Sequence, residues 1–307
     1  MAGKRSVSDH VIDGVIILIM IIVIASVMYP LMNALAISLN HAEDTARGGI
    51  TFFPRVFAYE SYRSVVTNPM IWNAYFITIM RTAIGAATAL FCTGVIAYGL
   101  AHSNLVGRRV YSIICLVPMY FTGGLIPVFL MIRAMGMFNT FSVFIIPVLI
   151  GLFNIILMRT FFQSLPPSLE ESAMIDGANY MTIFFRIIVP LSTPIMATIA
   201  LFVGVFHWND WFFGNVYITR IELRPMQNVL LSIINEAAFA EAMAALAGQA
   251  GGGAAAAAAG AMMRGRPVNV RSVTMATMFV TIFPMLIVYP FVQRFFIKGM
   301  MVGSIKG

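Results

Sequence analysis

The chain has 307 residues, of which 60% are apolar and only 10% are charged. Charged residues make up about 25% of an average soluble domain, and a soluble chain of this size needs them to cover its surface. The mean hydropathy of +0.90 agrees with the composition. A soluble enzyme, a disordered chain and a fibrous protein are therefore excluded, and the composition indicates an integral membrane protein.

The net charge is +7, but the basic residues are scattered along the chain. A nucleic-acid surface would cluster them on one face. In a membrane protein, a basic excess is typical of cytoplasmic loops and of contact with anionic lipid. Cys92 and Cys115 lie inside apolar runs, which favours neither a disulfide framework nor a metal site.

Six apolar stretches are long enough to cross the hydrocarbon core of a bilayer, which takes about 20 helical residues. Each is predicted to be a helix, because backbone groups in lipid must be satisfied within the segment. The stretches are residues 14–39, 73–101, 110–133, 141–162, 187–213 and 273–297. Prolines inside them predict kinks, at positions 30, 118, 127, 147, 194, 284 and 290.

The first stretch has a rival interpretation as a signal peptide. Lys4-Arg5 precedes it, and Ala34-Leu35-Ala36 imitates a cleavage site. However, the run from Val15 to Leu39 is longer than the apolar region of a usual signal peptide. We therefore expect an uncleaved first helix.

Topology follows from charge. Six helices place both termini on one side, and the basic residues of the short segments mark that side as cytoplasmic. The totals of Lys and Arg are equal on the two sides, but most of the outer ones lie in two long loops, 40–72 and 214–272, where the rule is weak. The basic residues that decide the orientation are Lys4, Arg5, Arg108, Arg109, Lys298 and Lys306.

The second of these long loops holds an Ala/Gly-rich tract at residues 250–261. Such composition is typical of a flexible hairpin tip and specifies no chemistry. The flanking segment from Met226 to Leu246 has helical composition. We expect a short helix there, lying over the membrane.

The usual catalytic and metal-binding motifs are missing from the sequence. Without a Gly-x-x-x-x-Gly-Lys-Ser/Thr loop, the chain cannot hydrolyse ATP alone. The four histidines are far apart, and no His-Glu-x-x-His, Cys-x-x-Cys or Gly-x-Ser-x-Gly occurs. The sequence therefore predicts no enzyme activity, no metal site and no cofactor in this chain.

The loop between the fourth and fifth stretches has the strongest local signals. Pro166-Pro167 should end the preceding helix, and Ser168 followed by Glu171 has the spacing of a capping box that starts a new one. Asp176-Gly177 should stop it. The result is a helix of two turns at the membrane surface, too short to persist without contact to something else.

Two partners for this short helix are possible, lipid headgroups and another protein. Acidic residues such as Glu170 are unfavourable beside anionic lipid. Small residues permit close approach of a protein, at Ser172, Ala173, Gly177 and Ala178. Both observations favour a docking role.

Here the sequence resembles a family. Glu171-Ser-Ala-Met-Ile-Asp-Gly-Ala178, followed by Ile188-Val-Pro190 and Pro194, is similar to the EAA loop of ABC importer permeases. The segments Asn154–Glu171 and His207-Trp-Asn-Asp-Trp-Phe212 resemble MalG-type carbohydrate permeases, and the ending Tyr289–Gly307 resembles their LplC/YtcP-like subgroup. Relatives in that subgroup include permeases for alginate and rhamnogalacturonan oligosaccharides. Two departures are Ser172, where the motif usually has alanine, and the Ala/Gly tract.

The resemblance implies an all-α polytopic membrane protein with the type I ABC importer permease fold. That fold has six transmembrane helices and a cytoplasmic EAA coupling helix. Residues 1–307 would form one transmembrane domain, with a cytoplasmic coupling loop at 164–186 and a periplasmic loop at 214–272. By the family pattern, the residues that contact the ATPase would be Glu171, Ser172, Ala173, Asp176, Gly177 and Ala178.

The resemblance also implies partners in a bacterial inner membrane, with both termini cytoplasmic. They are a MalF-like second permease, which completes a heterodimer, and two cytoplasmic ABC ATPase subunits that bind ATP and Mg²⁺. An external solute-binding protein would deliver an oligosaccharide. Membrane lipid surrounds the chain, and no nucleic acid is expected.

Polar residues at membrane depth are costly and are therefore candidates for the substrate path. They are Arg81, Asn154, His207, Asn209 and Asp210, with Trp208 as an aromatic that could stack on a sugar ring. Either an acidic sugar or another subunit could supply a counter-charge for Arg81. Arg159 and Asp210 lie near helix ends, where snorkelling or capping is the ordinary use of such residues. For Trp208, as for Tyr98 and Trp211, the ordinary use is an interfacial belt.

The alternative is a secondary transporter or channel for a small solute. That class needs inverted repeats or ion-coupling carboxylates within the membrane. In the last five predicted spans, Asp210 is the only carboxylate. The sequence thus favours the ABC permease.

Overall fold

The structure, a computed structural model, describes residues 7–121, 123–249 and 269–304. Helices dominate this part of the chain, and Asn40 and Phe57 form an isolated antiparallel bridge. The α-helices are α1 Val7–Ser38, α2 Ala42–Ala46, α3 Glu60–Val66, α4 Pro69–Ala101, α5 Arg108–Tyr120, α6 Leu125–Ala134, α7 Leu152–Phe162, α8 Ser168–Ile175, α9 Tyr180–Ile183, α10 Val189–Leu191, α11 Thr193–Asn209, α12 Phe212–Tyr217, α13 Met226–Gln249 and α14 Val270–Ser304. Shorter segments are the 3₁₀ turns Phe141–Phe144, Ile146–Val148 and Ile221–Leu223, and the π-helical turn Phe184–Ile188.

Three of these helices have continuous stretches that are long and apolar enough to cross a membrane, at His10–Ser38, Pro69–Ala101 and Val270–Pro290. Three further spans are counted if each of three bent pairs is one span, namely α5 with α6, Phe141–Val148 with α7, and Tyr180–Leu191 with α11. The described residues thus hold three to six spans, and the six fall at the predicted stretches. The all-helical fold is confirmed.

The breaks in two of the bent pairs lie close to predicted proline kinks. Phe141–Val148 and α7 meet at 51°, just after Pro147. The break of 83° lies before α11, whose second residue is Pro194. Proline has no backbone N–H to donate, and it disfavours helical geometry in the residue before it. Pro30 and Pro284, in contrast, lie inside continuous helices.

The chain divides into two compact units, one from Met70–Val229 with Phe283–Gly307 and the other from Met1–Pro69 with Leu230–Ile282. In the first unit, a buried core joins α4, α7, α9 and α11 through Ala97, Ile155, Met158, Ile183 and Ile199. A second core of the same unit is built on Ile132, Val143, Phe144, Tyr217 and Ile218. All the predicted site residues belong to this unit.

In the other unit, residues 10–31 of α1 are all exposed and nearly all apolar. The loop that follows α1 is held by the buried side chain of Asn40. Its amide oxygen accepts the backbone N–H groups of Arg55 and Val56 at 2.8 and 3.0 Å. Its amide nitrogen donates to Asp44 at 2.9 Å, and this hydrogen bond lowers the pKa of Asp44. Arg55 completes the group by an ion pair of 2.9 Å with Asp44.

The helix expected from Met226 to Leu246 is confirmed as α13, which continues to Gln249. The Ala/Gly-rich tract at 250–261 lies outside the described residues. So do Lys4, Arg5 and Lys306, three of the residues on which the orientation prediction depends.

Candidate functional site

The two-turn helix predicted between the fourth and fifth spans is α8, but it begins differently than expected. The capping box is wrong, since Ser168 is the first helical residue and makes no side-chain cap. Pro167 precedes it with φ −61° and ψ −26°, values that already belong to a helix, and its carbonyl accepts the N–H groups of Glu170 and Glu171 at 3.0 and 3.1 Å. Because the proline ring holds φ at a helical value, the turn starts one residue earlier than a Ser168 cap requires.

The end of α8 is as predicted. Gly177 has a φ of +83°, in the left-handed region that favours glycine. The N–H of Gly177 donates to the carbonyl of Met174 at 3.0 Å, and that of Ala178 donates to Ala173 at 2.9 Å. These two bonds form a Schellman motif. Ala173 and Ala178 also pack against the core of the unit, so the motif fixes one face of α8 to the protein.

The remaining predicted coupling residues face outward, since Glu171, Ser172, Asp176 and Gly177 are exposed. Close to them in the chain are five apolar residues that we refer to together as the apolar patch, namely Leu169, Met174, Ile175, Tyr180 and Met181. All five are exposed, and Ile175 is 86% exposed. Grouped exposed apolar side chains rimmed by polar ones mark interaction surfaces. The sequence analysis did not predict these exposed apolar side chains.

A groove with a cavity of about 720 Å³ separates α8 from the end of α4. His102, which follows α4 directly, crosses it and pairs with Glu170 through Nε2 and Oε2 at 2.9 Å. The other ring nitrogen of His102 is 2.8 Å from the backbone carbonyl of Tyr98. The sequence analysis did not single out His102, because only the fold brings it to a residue 68 positions away.

A second group of predicted residues meets inside the membrane-spanning region. Arg81, which is only 1% exposed, donates from Nη2 to Oδ2 of Asp210 at 2.8 Å and to the Asp210 carbonyl at 3.0 Å. Its guanidinium carbon also lies 4.8 Å from the ring centre of Phe144, a cation–π contact. Arg81 therefore has a counter-charge within its own chain, a partner that the sequence analysis did not consider.

Asp210 has a second role, at the start of α12. Its Oδ1 accepts the backbone N–H groups of Phe212 and Phe213 at 3.1 and 3.3 Å. This capping agrees with the expectation for a carboxylate near a helix end. Arg159, the other residue expected at a helix end, donates to the hydroxyl of Ser112 at 3.2 Å.

The other path candidates have different surroundings. His207, one turn before Asp210, is buried. Trp208 is buried with its ring centre 6.4 Å from that of Tyr75. Asn209 is exposed and Asn154 on α7 is half-buried. Within the described ranges, no group of three His, Cys, Asp or Glu side chains could hold a metal ion.

Close helix packing around His207 leads to a stability prediction. A Cβ at Gly85 on α4 would overlap the His207 imidazole, whereas a Cβ at Gly99 on the same helix would meet nothing within 4 Å. We expect Gly85→Ala to destabilise the protein by about 1–3 kcal/mol, the usual cost of overpacking. The control Gly99→Ala should be neutral or slightly stabilising, because alanine favours a helix. Thermal unfolding of the protein in detergent checks this, and equal midpoints for the two variants would contradict the packing.

Known proteins similar to this chain include permease proteins of ABC transporters. The polygalacturonan/rhamnogalacturonan transport system permease protein YtcP of Bacillus subtilis (strain 168) is 32% identical over 304 residues, covering 99% of this chain and 100% of the relative. Protein LplC of the same strain is 34% identical over 285 residues, covering 92% and 90%. No protein-family model matches.

A solved structure is also similar, the crystal structure of a bacterial ABC transporter involved in the import of the acidic polysaccharide alginate. The TM-score is 0.83 with 29% identity, over 96% of this chain and 100% of that one. The similarity in sequence and the similarity in structure both extend over nearly the whole chain. The protein belongs to the permeases of carbohydrate ABC transporters, as a multi-pass transport subunit of the inner membrane with relatives in YtcP and LplC.

Proposed function

We propose that the chain passes an acidic, polysaccharide-derived oligosaccharide, such as a fragment of alginate or rhamnogalacturonan, across the inner membrane. The observation that carries this proposal is the agreement between a relative named for polygalacturonan and rhamnogalacturonan and a structural neighbour involved in alginate import. Both names refer to uronic-acid polymers. The energy comes from ATP hydrolysis by separate subunits.

The coupling loop in this proposal is segment 164–186, on the cytoplasmic side, where both termini also lie. The residues that contact an ABC ATPase subunit are Glu171, Ser172, Ala173, Asp176, Gly177 and Ala178. Support comes from the exposure of Glu171 and Asp176 beside the apolar patch, since water alone does not stabilise such a patch. Anionic lipid headgroups would repel the same carboxylates, so a protein surface with basic residues is the better partner.

The complete importer in this proposal has five components besides the sugar. Residues 1–307 form one transmembrane domain, paired with a MalF-like second permease. Two ABC ATPase subunits bind the cytoplasmic face, and loop 214–272 reaches an external solute-binding protein. The charge of Arg108 and Arg109 between the second and third spans supports this orientation.

The substrate path in this proposal follows α4, α7 and α11. Its residues are Arg81, Asn154, His207, Trp208, Asn209 and Asp210. The buried ion pair of Arg81 with Asp210 has a structural role beside the path, because each charge already has a partner within the chain. Asn209 and Asn154 keep accessible amide groups, which can hydrogen-bond to sugar hydroxyls.

Uptake by the purified importer in vesicles tests the function. With the binding protein and ATP present, we expect an oligouronate to enter faster than a neutral oligosaccharide of equal length by about tenfold, equivalent to about 1.4 kcal/mol of discrimination. Replacing ATP by a non-hydrolysable analogue should stop uptake. Faster entry of the neutral sugar would contradict the substrate class, and ATP-independent entry would contradict the importer.

A further inference from the structure

Two neighbouring glutamates on α8 have different surroundings. Glu170 is paired with His102, and the side chains of both are 24% exposed. Glu171 lines the same groove but is exposed, and within the part of the chain that the structure describes its carboxylate makes no ion pair or hydrogen bond. Only one of the two carboxylates is thus available to a partner protein.

The hydrogen bonds of His102 define where its protons lie. The Tyr98 carbonyl can only accept, so Nδ1 must donate to it at 2.8 Å. Nε2 faces a carboxylate oxygen of Glu170 at 2.9 Å, and two bare acceptors would repel each other. One proton therefore lies between Nε2 and Oε2, whichever atom holds it. With the proton on Nε2 the bond joins an imidazolium to a carboxylate, and such a charge-assisted hydrogen bond is about twice as strong as a neutral one.

The imidazole ring is also held by packing. The ring centres of Tyr98 and Tyr180 lie 4.6 and 5.4 Å from that of His102, both at nearly perpendicular orientation. Edge-to-face contacts of this type favour one ring position. The Nε2 atom is therefore directed at α8 by its surroundings on α4 and α9.

The pair joins the end of a long helix to a short helix of low intrinsic stability. His102 follows the 33-residue helix α4, whereas α8 has only eight residues and depends on contacts for its stability. Ala173 and Ala178 fix one end of α8 to the core. The bond from His102 to Glu170 fixes the first turn, so the rotation of α8 about its own axis is determined at both ends.

We propose that His102 is a positioning residue for coupling: it binds Glu170 and so turns Glu171 outward as the carboxylate offered to the ATPase. This inference rests on the proposed coupling role of segment 164–186. His102 acts through Glu170, and Glu171 acts directly on the partner subunit.

The experiment measures oligosaccharide uptake per ATP hydrolysed, for the complete importer in vesicles. His102→Ala and Glu170→Ala should each lower this ratio by about fivefold, which corresponds to roughly 1 kcal/mol, the net contribution of a typical intramolecular hydrogen bond. The double variant should be no worse than the worse single variant, because both changes remove the same bond. For the same reason His102→Ala should add little to the loss from Glu171→Gln, because the carboxylate that His102 positions is then already absent.

Conservative variants separate positioning from direct contact. Glu170→Gln should keep most of the coupling, since its amide N–H can donate to Nε2 of a neutral His102. His102→Gln keeps a hydrogen-bond donor and should also retain part of the coupling. Both variants should be present in the membrane in normal amounts. If Glu170→Gln is as damaging as Glu170→Ala while His102→Ala is harmless, the proposal is overturned and Glu170 meets the partner itself. Failure of the coupling role itself gives a different result, in which Glu171→Gln is harmless as well.

Discussion

Replacement of Gly177 by valine should uncouple ATP hydrolysis from transport without unfolding the membrane domain. Gly177 has φ +83°, and a Cβ there would meet nothing within 4 Å. The cost of the variant is therefore backbone strain of about 1–3 kcal/mol, not a clash. Because α8 is short, the strain should open the Schellman motif and misplace the apolar patch. A loss of uptake by roughly tenfold is expected, since about 1.4 kcal/mol corresponds to one factor of ten.

Gly136 provides a matched control for this variant. It ends α6 with φ +69°, and its N–H and that of Met137 make the same pair of bonds, at 3.1 Å each, to Arg133 and Ile132. Its Cβ would also meet nothing within 4 Å. Gly136→Val should thus carry the same strain but leave the uptake per ATP unchanged. Gly177→Asn should lose less than Gly177→Val, because asparagine tolerates the left-handed region. Equal effects of the two valine variants on coupling would show that strain in general is responsible.

Removal of one partner of the pair between Arg81 and Asp210 should destabilise the membrane domain strongly. Asp210→Ala leaves a guanidinium that is 1% exposed without its counter-charge, and breaking a buried pair in this way costs about 3–5 kcal/mol. The double variant Arg81→Met with Asp210→Ala should recover part of the loss, because no unpaired charge remains. Thermal unfolding of the purified chain in detergent is the measurement.

The ion pair between Arg55 and Asp44 is the control for burial. The Arg55 side chain is 46% exposed, and exposed pairs contribute less than about 1 kcal/mol. Arg55→Ala should therefore shift the unfolding midpoint far less than Asp210→Ala.

In transport, Arg81→Met should reduce the uptake of acidic and neutral oligosaccharides alike, since Asp210 already neutralises Arg81. A selective loss for the acidic substrate would mean that Arg81 binds the sugar instead.

Much of the fold could be predicted from the sequence because its signals are local. Uninterrupted apolar runs predict membrane spans, and the breaks near Pro147 and Pro194 follow from the missing N–H of proline. The end of α8 at Gly177 was also predicted from a local property, the tolerance of glycine for the left-handed backbone region. The capping box failed because its spacing was judged without the helical φ of Pro167.

The contacts of the site depend on the packing of distant segments. Asp210 lies 129 positions after Arg81, and His102 lies 68 positions before Glu170. Sequence periodicity does not indicate contacts between residues so far apart in the chain. The polar residues could therefore be recognised as candidates, but their partners could not. The apolar patch was missed because a helix of two turns gives too few positions to separate its inner face from its outer one.

Labelling at Ile175 tests most directly whether α8 docks an ATPase in the cytoplasm. The variant Ile175→Cys is made in a chain whose Cys92 and Cys115 are replaced by alanine, with Ala46→Cys as the control for the outer side. Ile175 is highly exposed and Ala46 is exposed, so both should react with a membrane-impermeant maleimide. We expect Ile175→Cys to react only from the cytoplasmic side and to be protected when the ATPase subunits are assembled, while Ala46→Cys reacts only from outside. Reaction of Ile175→Cys from outside, or equal reaction with and without the ATPase subunits, would contradict the coupling role of this helix.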